Sequence, residues 1–376
     1  MATNFFKATG VATRQGLWAP ISPLVLAPTQ EEADIFVSIL AKIRPHLRAG
    51  NAATCVALAE QLGWQARKHL KRLARPIFDM LHHCPGPGFV TVDLRLLCQV
   101  EIALLPPTPD HFVSRDEHQL TKLDLIRCAI IGAANGFSYS YSAQANGNLC
   151  DDVVPLASFA QTSGFSAGLG VGYHTEDGPF HRCDDDAQTT VYDVLSFAYL
   201  RNPNEDPTTI AAPDFSLLDW EIVEELHKRQ FVTRTSLAQG GDHNTTLTPT
   251  SLLYSDNRMR FSFARLDEQR ETYRETGVLP TIEAFAAFMD KFRIDLPSLP
   301  GTIAFIDNMR VAHSRPTWRS APRYDGSDRW QRRLGCVRSE RRQFIEVFMA
   351  NPAERVIDSG RLHQCLAALD EPKGRG

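Results

Sequence analysis

The chain has 376 residues, 43% hydrophobic and 22% charged, which excludes wholesale disorder and a coiled coil and leaves enough length for a large core. Its 40 Lys and Arg against 44 Asp and Glu give a net charge of −4, which provides no electrostatic footprint for nucleic acid. No window reaches the roughly 18–20 uncharged apolar residues of a membrane span, and the first twenty residues lack a secretory apolar run, so a cytoplasmic protein with neither nucleic-acid nor membrane partners is expected.

The first third reads as helical. Thr29-Gln30-Glu31-Glu32 has the form of a capping box ahead of Ile35, Phe36, Ile39, Leu40 and Ile43, with Gly50 as a stop. A second helical stretch is predicted from about Ala53 to His83, kinked or broken at Pro76. Its terminal His82-His83 suit the helix dipole better than a metal. Ser114 to Glu117 repeats the capping pattern before Leu123, Ile126, Ile130 and Ile131. From about residue 136 short β-prone runs appear, among them Phe137 to Tyr141, Val194 to Leu200 and Gly301 to Ile306, interrupted by a helix at about Thr281 to Arg293. No linker separates the two textures. One α+β domain spanning 1–376 is expected, with a helical flank over about 1–135 and a β core over about 136–345. The eight cysteines are dispersed with no C-x-x-C pair, which fits reduced thiols and no zinc ribbon.

The most informative stretch is Gly172-Tyr173-His174-Thr175-Glu176-Asp177. On a strand, His174 and Glu176 share a face because side chains alternate with period two. Together they supply two thirds of a facial 2-His-1-carboxylate triad, which holds iron(II) and leaves coordination positions open. Alone the pair carries little, since 12 His and 44 acids give about one and a half His-x-acid matches by chance. A third ligand should come from a distant strand, and His313 ends a segment that reads as strand, Asp307-Asn308 turn, strand. Sixteen residues later, Arg329, Gln331 and Arg333 share one face of an extended run. An arginine directed into an apolar core is costly unless it meets a carboxylate, and a guanidinium binds one bidentately. Otherwise Arg329 is a surface strand charge. His181 reads as solvated or close to the metal pair without ligating it. Asp184 to Asp186 form a solvated loop without calcium-loop spacing. Trp318 and Trp330 read as packing residues, and Tyr173 and Phe180 as either core or pocket lining.

Four ordered blocks, HTEDGPFHR, LSFAYLRNPNEDPTTIAAPD, FIDNMRVAHSRP and PRYDGSDRWQRR, resemble the clavaminate synthase-like iron(II)/2-oxoglutarate dioxygenases, and within them the free amino acid hydroxylases such as arginine β-hydroxylases. The resemblance covers about residues 136 to 345. It implies a distorted double-stranded β-helix, or jelly roll, with flanking helices. It places His174, Glu176 and His313 as metal ligands and Arg329 on the far carboxylate of 2-oxoglutarate, assisted by Thr209, with Thr208 as the alternative. It places Arg333 and Gln144 on the substrate's α-carboxylate and α-amino groups. The implied co-reactants are Fe(II), 2-oxoglutarate and O2, with ascorbate as activator. Because the carboxylate ligand is present, hydroxylation is expected rather than halogenation; desaturation or cyclisation of a non-basic intermediate stays open.

Relatives acting on arginine hold its guanidinium with acids after the block written here Leu252 to Asp256. This chain instead continues Asn257-Arg258-Met259-Arg260-Phe261, with Asp267 and Glu268 only further on. A neutral, aromatic, acidic or modified amino acid is therefore expected as the small-molecule substrate. Competing readings are a zinc-dependent hydrolase on the same ligands, which leaves Arg329 without a role, and a jelly-roll binding protein. A lid over 236–262, hinged at Gly240-Gly241, is expected from composition; a homo-oligomer is compatible with the sequence.

Overall fold

The computed structural model describes residues 10–12, 18–20, 24–47, 52–159, 170–176, 190–232, 249–254, 258–317, 321–362 and 364. Gly240-Gly241 of the expected lid lies outside them, as do Phe180, His181, Asp184 to Asp186 and Trp318.

The helical flank begins at α1 (Gln30–Leu47), where the Glu32 backbone N–H donates to Thr29 Oγ1 and Thr29 N–H to the Glu32 carboxylate, the reciprocal cap expected. The following stretch divides into α2 (Ala52–Gln65) and α3 (Lys71–Leu81), and the break falls at 66–70, not at Pro76, which sits inside α3. Turning there brings Leu70, Leu73 and Ile77 onto the same core as Val56 and Ala59. After α4 (Arg95–Ala103) comes α5 (Lys122–Ala133). Its cap is Thr121 with Asp124; Ser114 and Glu117 bond to each other in a separate turn, so that expectation is corrected. Helices α2 and α5 pack closely because a Cβ at Gly63 would lie 2.0 Å from Ala129 O, and one at Gly132 would lie 2.1 Å from Glu60 O.

Two sheets form the centre. The larger contains β1 (Val25–Leu26), β2 (Phe89–Asp93), β3 (Gly136–Tyr141), β4 (Asp151–Val153), β6 (Val194–Arg201), β9 (Thr302–Asp307), β11 (Trp330–Arg338) and β12 (Val356–Ile357). Its order is β12-β3-β11-β6-β9-β2-β1, with β4 also on β11. The smaller contains β5 (Val171–His174), β7 (Thr208–Ala211), β8 (Arg293–Leu296) and β10 (Ala312–Arg315), in the order β8-β7-β10-β5.

Alternation along these strands builds the layers. On β6, Val194, Ala198 and Leu200 face the helices, while Leu195, Phe197 and Tyr199 face the smaller sheet and meet Ile210, Ile294 and Leu296. Tyr173, Ala211 and Ala312 cover the outer face of the smaller sheet, against α6 (Trp220–His227) and α7 (Leu279–Lys291). The class is α+β with a sheet core. No helix among the described residues is long and apolar enough to cross a membrane.

Beneath β11 lies a buried ionic network. Asp124 meets Arg127 at 2.7 Å and Arg332 at 2.6 Å, and Arg332 meets Asp152 at 2.6 Å. Burial alone would raise the Asp124 carboxyl, but Arg332 and Arg127 override it and hold it well below the usual carboxylate range. Asp124→Asn should cost about 3–5 kcal/mol by urea denaturation at pH 7, because it takes the charged partner from the buried Arg127 guanidinium and one of two from Arg332. The folded value is depressed, so this contribution is present above the unfolded carboxyl range of about 3.9 and is lost as pH falls toward the folded value. An Asn variant as stable as the parent would show the network to be dispensable.

Candidate metal centre

His174 and His313 are direct partners across the antiparallel pair of β5 and β10, with ring centroids 4.1 Å apart. Both strands lie in the smaller sheet, and alternation sends both imidazoles toward the larger one, since Tyr173 and Ala312 take the outer face. Glu176 follows two residues beyond His174. Its Oε2 lies 3.8 Å from His313 Nε2 and 4.0 Å from His174 Nε2, and one ligand-type atom from each of the three lies within 4.8 Å of the others. Glu176 and His313 are buried, and His174 is partly exposed.

Each donor is oriented. His174 Nδ1 donates to Gly172 O at 2.9 Å, which turns Nε2 toward the cluster. Burial, then His174 and Arg333, push His313 well below the usual imidazole range, so it is neutral, the state a metal requires. Phe197 packs 5.2 Å from its ring. Glu176 is positioned through its backbone: its N–H donates to Asn308 Oδ1 at 2.7 Å, and Asn308 Nδ2 returns a bond to Glu176 O at 2.8 Å. Asn308 is fully buried, also donates to Tyr192 O, and ties the β9–β10 turn to the Glu176 segment. The sequence marks it only as a turn residue.

Arg329, Gln331 and Arg333 do share the inward face. Arg333 bridges the Glu176 and Asp151 carboxylates. Burial pushes the Asp151 carboxyl up to about 6, against the pull of Arg333. Arg329 is buried and donates through Nη2 to Gln331 Oε1 at 2.8 Å and to Thr208 Oγ1 at 3.2 Å. Its Nε and Nη1 have no partner among the described residues, and burial lowers its proton affinity. Nearby Arg315 is pushed down to about 9 by burial and then by Arg329, while one acid, Asp206, acts on both. The buried Arg329, with two donors that meet no partner among the described residues, is in the situation an anion relieves.

Thr209, named first from the sequence, is corrected by its strand position. It points outward and donates to Asp295 at 2.6 Å, whereas Thr208 faces inward to Arg329. Gln144 is buried in the turn after β3, and no hydrogen bond joins it to Arg333 or the triad. Asp267 and Glu268 pair locally with Arg270 and Arg265 on the surface and do not enter the site. Tyr192 lies against Gly335, where a Cβ would fall 2.2 Å from its ring, and its phenol feels the charges of Arg333, Glu176 and Asp151. Neither Tyr192 nor Asp151 carries a sequence signal, because each reaches the site through strand register.

No model of a known protein family matches the chain. It is 27% identical over 290 residues to an L-ornithine/L-arginine 3-hydroxylase of Catenulispora acidiphila, covering 67% of this chain and 78% of that protein. It is 24% identical over 349 residues to an L-lysine 4-hydroxylase of a Flavobacterium species, covering 87% and 86%, and 23% identical over 246 residues to clavaminate synthase 2 of Streptomyces clavuligerus, covering 64% and 72%. In fold it is similar to the non-heme iron oxygenase OrfP solved with Fe and alpha-ketoglutaric acid, with a TM-score of 0.66 at 22% identity over 89% of this chain and 100% of that one. The relatives are amino acid hydroxylases and clavaminate synthase, which bears out the resemblance carried by the four sequence blocks.

Proposed function

We propose that this chain is an iron(II)/2-oxoglutarate-dependent oxygenase that hydroxylates an unactivated C–H bond of a free or modified amino acid. The observation that carries this is the cluster of His174, Glu176 and His313, three pre-oriented donors of the right kind within 4.8 Å, the last two of them buried. Its relatives include L-ornithine/L-arginine and L-lysine hydroxylases, and OrfP was solved with Fe and alpha-ketoglutaric acid. The two facing sheets are read as a distorted double-stranded β-helix, and the chain as one oxygenase domain.

In this reading His174, His313 and Glu176 would hold iron(II) through the two Nε2 atoms and a carboxylate oxygen. Iron(II) and 2-oxoglutarate, when bound, supply activation of O2 coupled to decarboxylation to succinate. The protein supplies orientation and a dry site. Arg329 holds the far carboxylate of 2-oxoglutarate with Nε and Nη1, beside the Thr208 hydroxyl. Thr208 lies two residues along β7 from Ile210, which pairs with His313, a separation of roughly 7 Å that a five-carbon dicarboxylate spans. Arg333 and Gln144 take the substrate's α-carboxylate and α-amino group. Ascorbate would serve as the activator that keeps bound iron reduced.

Protein given iron(II) and 2-oxoglutarate without oxygen should develop a weak visible charge-transfer band. Admitting air with a substrate amino acid should release succinate in proportion to hydroxylated product. Tightly held zinc with no such band would favour the hydrolase instead.

A further inference from the structure

Arg333 serves two carboxylates at once. On β11 it pairs across the sheet with Asp151 of β4, and its Nη2 donates to Asp151 Oδ2. Its Nη1 meets Glu176 Oε2, the same oxygen that lies 3.8 Å from His313 Nε2 and 4.0 Å from His174 Nε2. One guanidinium therefore joins Asp151 to the carboxylate of the metal cluster, at the atom nearest both imidazoles. Asp151 and Glu176 are both buried, and among the described residues Arg333 is the only ion-pair partner of Asp151.

The neighbouring pair on the same two strands is built for another purpose. Asp152 and Arg332 are also partners across β4 and β11, but alternation turns them to the helical side. There Asp152 Oδ1 accepts from Trp330 Nε1 and Arg332 Nε, and Arg332 Nη1 reaches Asp124 and Gln119 O. No member of that network belongs to the His174, Glu176 and His313 cluster.

The charges explain why the inward pair needs its second carboxylate. If Glu176 were the sole partner of Arg333, giving its oxygen to a divalent cation would set the guanidinium against a like charge and leave it uncompensated, which opposes binding. Asp151 removes that conflict. It keeps Nη2, and Nη1 is released toward the substrate's α-carboxylate.

We infer that Asp151 is a positioning residue that acts through Arg333: it draws the guanidinium off Glu176 as that carboxylate ligates, and so sets how tightly the three donors hold a divalent cation. This rests on the oxygenase reading above and deepens it.

The test titrates the whole chain with manganese(II), a divalent probe suited to imidazole and carboxylate donors, and reads the free ion by electron paramagnetic resonance. Asp151→Asn should weaken manganese binding by roughly tenfold or more, because it leaves Arg333 wholly on Glu176. Arg333→Met removes the competing cation and should tighten binding by roughly threefold or more. In the Arg333→Met background the penalty of Asp151→Asn should shrink by roughly threefold or more, since no guanidinium is left to hold. Asp152→Asn, the control, should lower the thermal midpoint and keep manganese affinity within about threefold of the parent. Parental affinity in a folded Asp151→Asn protein, unchanged or weaker binding in Arg333→Met, or an equal penalty from Asp151→Asn and Asp152→Asn each overturns the inference. If Asp151→Asn does not fold, the sign of the Arg333→Met change decides alone. A parent protein that binds no manganese and forms no visible band with iron(II) and 2-oxoglutarate overturns the oxygenase reading itself, and is thereby distinguished.

Discussion

His313→Ala is expected to lower iron(II) affinity by more than about 100-fold, since removing partners outside the coordination sphere alone costs roughly 10–100-fold, and to abolish substrate-dependent succinate release. His174→Ala and Glu176→Ala should behave alike, because each removes one of three donors and no fourth His, Cys or acid joins the cluster among the described residues. Iron titration of the folded variants, with circular dichroism as the control, separates metal loss from misfolding. Succinate release at the parental rate from any of the three would remove that side chain from the centre.

Arg329→Met should raise the 2-oxoglutarate requirement by roughly 30-fold to several thousand-fold. Truncating a buried, hydrogen-bonded charge partner costs about 2–5 kcal/mol, and each 1.4 kcal/mol is about a factor of ten. The same change should act oppositely on the ligand-free protein. There Arg329 is buried with two nitrogens lacking partners among the described residues, and replacing a poorly compensated charge by an apolar side chain of similar length relieves a desolvation cost. The thermal midpoint without 2-oxoglutarate should hold or rise, and the increment normally gained on adding it should disappear. Parental dependence on the cosubstrate in this variant would move Arg329 off the site.

The parts of this molecule visible in the sequence are those where one residue type in one local pattern is enough. His174 and Glu176 are read from period two, and the shared face of Arg329, Gln331 and Arg333 follows from the same rule. The cap at Thr29 and Glu32 is a local pattern, as are the runs that become β3, β6 and β9. What escaped depends on which strand lies beside which. Thr208 and Thr209 are equivalent as letters, and only the pairing of β7 with β8 and β10 turns one toward Arg329 and the other toward Asp295. Asn308 looks like any turn asparagine until the Glu176 segment is laid against it, 132 residues away in sequence. Proline chemistry points to a kink or break at Pro76, but burial of Leu70 and Leu73 sets the break between α2 and α3 earlier. The resemblance of the four sequence blocks suggested the roles that spacing could not.

Strand β5 ends the order of the smaller sheet, with β10 on one side, and its register with β10 is interrupted between His313 and Arg315. A terminal strand of four residues frays readily. Iron held jointly by His174 on β5 and His313 on β10 would therefore act as a clasp between this end strand and its neighbour. Loading the ferrous ion should tighten amide protection along 171–176, and chelation should let that border come undone before the rest of the core notices.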